Sequence, residues 1–94
     1  MKQGNRLIKQ LGFRAGLEGH PLPGLPIIEL AGESRVLIEN HLGIQEYLAN
    51  SIKVALKYGF ARIEGMGLEI VHMSADQLVI TGKILSVKLE RSRV

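Results

Sequence analysis

The sequence has no cysteine and no tryptophan. Without cysteine, a disulfide framework and a thiolate metal site are both excluded, which suits a reducing compartment. The aromatic complement is two tyrosines and two phenylalanines, too little to build a stacking platform for single-stranded nucleic acid. No run approaches the ~20 apolar residues of a membrane span. The opening residues MKQGNRLIKQ also lack the apolar core of a signal peptide. The expectation is a protein without a membrane span of its own, acting in the cytoplasm.

What is present is ordinary for a globular chain: 94 residues, 46% hydrophobic and 22% charged. A chain of this length supports one modest core that buries roughly 60–65% of the unfolded surface. The formal net charge is +3, and it is unevenly placed. Lys2, Arg6, Lys9 and Arg14 face only Glu18 within residues 1–25, whereas acids and bases balance over residues 26–94. A nucleic-acid binder is expected to carry a basic stripe on its folded body. A neutral body argues against a nucleic-acid partner.

Pro21, Pro23 and Pro26 are the only prolines and fall beside Gly19 and Gly24. Proline removes backbone donors and favours extended chain before it, so this stretch reads as a stiff connector. Upstream, Leu7, Ile8 and Leu11 recur at helical spacing, which predicts a short helix over residues 4–12 with Gly12 as its stop. Two units follow: a basic, partly helical arm over residues 1–25 and an all-β domain over residues 26–94.

In the second unit, short apolar alternations are separated by turn residues. They predict strands over residues 27–31, 35–40, 44–49, 52–58, 60–65, 68–73, 78–82 and 83–90. A helix across residues 45–58 competes, but Asn50-Ser51 interrupts it and Ile52, Val54 and Leu56 alternate strictly. Gly65-Met66-Gly67 reads as a hairpin turn. The predicted fold is a small antiparallel β-sandwich, or a partly rolled meander, of about eight short strands after a helical arm. Ile52, Val54, Leu56, Ile63, Leu68, Ile70, Leu78 and Ile80 are the expected core.

Chemistry-bearing motifs are sparse. His20, His41 and His72 have no metal-ligand spacing, and no Gly-x-Ser-x-Gly elbow occurs around any serine. No metal, cofactor or catalytic residue is predicted, and the chain is not expected to be an enzyme. The most polar constellation is Glu39-Asn40-His41 with Gly43. It reads first as a tight turn with Gly43 at positive φ, and second as a binding element of Glu39, Asn40, His41 and Tyr47. In that reading Gly43 is needed for the fold and His41 is dispensable to it. A hydrolase using Glu39 and His41 is the weakest alternative.

The ordered series Ile38-Glu39-Asn40-His41-x-Gly43-Ile44-x-x-Tyr47, Ile52-x-Val54, Gly59, Ile63-x-Gly65, Leu68-x-Ile70 and Leu78-x-Ile80-x-Gly82-Lys83-Ile84 resembles the YabP/YqfC family of sporulation proteins. The similarity covers residues 25–90, and the Leu25-Pro26 lead-in looks like the YqfC branch. The resemblance implies an immunoglobulin-like sandwich made in the mother cell during sporulation. It implies a non-enzymatic part in spore assembly, often encoded beside a membrane-embedded sporulation protein.

The functional expectation is an interaction or assembly module in forespore or spore-envelope development. Its partner would be another sporulation protein, one embedded in the forespore membrane included, or a further copy of the chain. Leu7, Ile8, Leu11 and Phe13 of the arm, with Ile28 on the first strand, are the expected partner contacts. The alternative is a β module that binds a small ligand or nucleic acid.

Overall fold

The computed structural model describes residues 24–92, and the expected helix over residues 4–12 lies outside them. All regular structure among the described residues is strand. The elements are β1 (Ile27–Ala31), β2 (Arg35–Glu39), β3 (Gly43–Leu48), β4 (Ser51–Leu56), β5 (Gly59–Met73) and β6 (Gln77–Arg91). They form one antiparallel sheet in the order β1-β2-β6-β5-β4-β3. The helix that competed for residues 45–58 is absent: Leu48 and Ser51 close a two-residue hairpin between β3 and β4.

Two expectations are corrected here. There are six strands, not about eight, because residues 60–65 and 68–73 belong to one 15-residue strand, as do residues 78–82 and 83–90. There is one sheet, not a sandwich of two. Both corrections have the same cause. Gly65-Met66-Gly67 is a bulge in β5 and not a hairpin turn, so the strand carries on through it.

The bulge has a simple signature in burial. Gly59, Ala61, Ile63 and Gly65 face inward, then the phase moves by one and Leu68 is next inside. On β6, an unpaired Leu85 performs the same shift, since Glu64 pairs with Ser86 while Gly65 pairs with Ile84. Bulges bend strands and increase twist. Here they fold the sheet over, so that β2 and the start of β6 share a core with β4 and the start of β5.

That core holds Val36, Ile38, Ile52, Val54, Ala61, Ile63, Leu78 and Ile80, all without measurable exposure, with Leu56, Leu68 and Ile84 nearly so. Of the expected core, only Ile70 is half-covered. It lies past the point where β4 ends, so nothing of that strand covers its side of β5.

The bend leaves backbone donors without a ladder partner, and the hairpin turns take them up. Leu68 N–H donates to the Ala49 carbonyl at 2.8 Å and Gly65 N–H to Asn50 at 3.2 Å. On the other strand, Ile84 N–H donates to Glu33 at 2.9 Å and Gly82 N–H to Ser34 at 3.2 Å. A side chain cannot be added at this corner. A Cβ on Gly65 would strike the Lys83 carbonyl oxygen, and one on Gly82 would lie 2.7 Å from the Gly67 oxygen.

Gly82→Ala is expected to lower stability by about 2–5 kcal/mol, from strain at φ 138° and backbone displacement together. Gly32→Ala, at φ 63° with open space around it, should cost only about 1–2 kcal/mol. Urea midpoints of the two variants, measured side by side, check the order.

Candidate functional site

The polar turn between β2 and β3 is built by one residue that tolerates positive φ and one that requires it. Asn40 sits at φ 66° and Gly43 at φ 127°. Three residues thereby carry the chain from β2, in one half of the folded sheet, to β3 at the edge of the other. Asn40 N–H donates to the Asp76 carbonyl at 2.6 Å, and Leu42 N–H donates to Ala55 of β4 at 2.8 Å. The turn therefore stitches the two halves together.

His41 is the buried polar residue of the fold, 5% exposed. Its Nδ1 accepts the Gly43 N–H at 3.1 Å, and its Nε2 lies 3.1 Å from the Ser74 carbonyl oxygen. A carbonyl only accepts, so Nε2 must carry the proton and Nδ1 must be bare. Both ring nitrogens are spent inside the chain. Replacing His41 would leave the Ser74 carbonyl and the Gly43 N–H without these partners, at a cost in stability.

The candidate binding residues do not converge. Glu39 accepts from Gln77 Nε2 at 3.3 Å across the ladder between β2 and β6. Tyr47 stands on edge strand β3, and its hydroxyl accepts Ile70 N–H at 3.0 Å, capping the part of β5 that β4 leaves unpaired. Asn40 points elsewhere again, donating from Nδ2 to the Leu25 carbonyl at 2.7 Å. Ile28 is half-buried opposite Ile38. Leu7, Ile8, Leu11 and Phe13 lie outside the described residues.

The Asn40–Leu25 bond leads to a feature that sequence reading missed. Leu25, Pro26 and Ile28 form one wall of an apolar groove of about 500 Å³, with Tyr58 and Leu89 on its rim. Leu56, Gly59 and Phe60 complete the lining from the β4–β5 hairpin, and Glu90 and Arg91 from the end of β6. The groove's signal in the sequence is Tyr58-Gly59-Phe60, which places half of the chain's aromatics around one glycine.

The outer face beside the groove is a self-neutralising lattice. Lys53, Arg62 and Lys88 lie in one row across β4, β5 and β6. Arg62 bridges Glu46 at 3.3 Å and Glu90 at 3.5 Å, and Lys88 reaches Glu64 at 3.6 Å. Lys53 sits 4.3 Å above the Phe60 ring. Desolvation works against the Arg62 charge, but Glu90 and Glu46 outweigh it and raise the pKa further. The contribution is thus complete below the ordinary arginine range and lost only above it, so this pairing adds no pH dependence near neutrality.

Among the described residues, no three potential ligands cluster as a metal site, and no helix is long and apolar enough to cross a membrane. Among the described residues the chain is a bent all-β module with an apolar groove. The YabP family model matches residues 26–94, and the chain belongs to that family. No curated protein and no solved structure matches it.

His41→Ala is expected to cost about 1–3 kcal/mol, read from the denaturation midpoint. Long-range ¹H–¹⁵N spectra of the intact protein should show His41 with a bare Nδ1 and a protonated Nε2. Asn40→Gly should keep the turn while freeing Leu25, whereas Asn40→Val should destabilise the fold, because a β-branched residue resists positive φ.

Proposed function

We propose that the chain is a non-enzymatic interaction module in forespore or spore-envelope assembly. Membership of the YabP family supports a role in sporulation, and the Leu25-Pro26 lead-in supports the YqfC-like branch. The place of action in this reading is the mother-cell cytoplasm, at the forespore membrane through a partner.

One observation carries the interaction reading: the state of the β1 edge. Among the described residues, β1 hydrogen-bonds only to β2. Leu30 lies opposite Val36 and so shares its core-facing side, yet Leu30 is 54% exposed while Val36 is fully covered. Glu29 is the strand's single charge. An edge with an uncovered inner leucine and little charge is suited to accepting another strand.

The nucleic-acid alternative gains nothing from the basic row, since Arg62 is held by Glu46 and Glu90, Lys88 by Glu64, and Lys53 lies over the Phe60 ring. The ring nitrogens of His41 that a ligand would use already carry bonds.

The test is capture from sporulating cells with membranes solubilised, using the full-length protein and its Leu30→Lys variant as baits. The native bait should retain a partner that an unrelated β protein does not, and the variant should lose it with an unchanged circular dichroism spectrum. Equal capture by both baits would remove the β1 edge. Capture no better than the unrelated protein would remove the interaction reading.

A further inference from the structure

We infer that the groove is the seat of the chain's own N-terminal segment, with Leu7, Ile8, Leu11 and Phe13 packing against Leu25, Ile28, Leu56 and Leu89. This goes beyond the partner reading, because it concerns the isolated chain and a different surface from the outer edge of β1.

The groove is an unfinished piece of core. Leu89 pairs with Ala61, so the two share one side of the sheet; Ala61 is fully covered and Leu89 is 68% exposed. Leu56, itself nearly buried, contributes to the lining, and Tyr58 stands on the rim at 60% exposure. A core-facing leucine left open at an apolar groove is a site that lacks its filler. Burying such apolar side chains is favourable.

The chain outside the described residues starts at this site. Gly24 is the first described residue, and it directly precedes Leu25 and Pro26 in the groove wall. Asn40 pins Leu25 by its carbonyl, and a Cβ placed on Gly24 would lie 3.7 Å from Nζ of Lys57, in the β4–β5 turn. The preceding 23 residues therefore set out from the lip of the groove. Ten residues separate Phe13 from Gly24, a tether that spans at most about 35 Å when extended.

Tethering changes what affinity is required. A linker that lets two tethered elements meet gives an effective concentration in the millimolar range. A segment whose free Kd is about 1 mM would then be bound about half of the time.

The absence of native cysteine makes the test clean. In the full-length protein, Leu11→Cys with Leu89→Cys should form an intramolecular disulfide at least tenfold faster than Leu11→Cys with Glu69→Cys, an exposed site far along β5. Equal rates overturn the proposal. Mixing the Leu11→Cys and Leu89→Cys single variants should give monomers; a cross-linked dimer instead assigns the groove to a second copy and overturns docking within one chain. Independently, Leu11→Asp in the full chain should shift the methyl resonances of Leu56 and Leu89 and leave those of Leu78 and Ile80 in place. Unchanged Leu56 and Leu89 methyls overturn the proposal as well.

Discussion

At Gly65 and Gly82 two backbones pass closer than any side chain permits, and the architecture follows from that approach. A sheet whose strands ran straight would leave β2 and β4 separated by two intervening strands, with their apolar faces unable to meet. Bending β5 and β6 turns the single sheet into both walls of its own core. The bend also sets free backbone donors, and the turns at Glu33-Ser34 and Ala49-Asn50 take them up. Corner, turns and core are thus one arrangement, and no member of it can be altered alone.

The bend also decides where the core runs out. Beyond the reach of β4, β5 is closed by a tyrosine hydroxyl in place of a strand. Beyond the reach of β2, the end of β6 meets the lead-in to β1 across the groove, with Leu89 open to solvent. One gap is sealed by a side chain that belongs to the fold. The other lies where the chain enters it.

The alternation of Ile52, Val54 and Leu56, and of Leu78 and Ile80, was legible because a half-buried strand needs only its own period of two. The two long strands were not legible as such. A Gly-x-Gly supplies positive φ equally well to a turn and to a bulge, and only the ladder from Thr81 to Ser86 on β6 shows which it is. His41 escaped for a similar reason: its acceptor, the Ser74 carbonyl, is 33 residues away. The Tyr58-Gly59-Phe60 signal becomes a groove only once the fold sets Leu25 and Pro26 beside Leu56 and Leu89. Local chemistry was visible in the sequence; pairings between distant segments were not.

The three-residue crossing at Asn40, His41 and Leu42 has a kinetic meaning. Four of the five ladders are hairpins whose ends meet after a short turn. The fifth, β2 on β6, pairs Val36 with Ile80 and closes a far longer loop, at an entropic cost of roughly 3 kcal/mol. The β1–β2 hairpin is therefore expected to dock last, onto a meander already formed by β3 to β6, and to leave first. Until it docks, the long outer edge of β6 is bare. The imidazole that ties this crossing to the β5–β6 hairpin then acts as the latch that governs how long that aggregation-prone edge stays open.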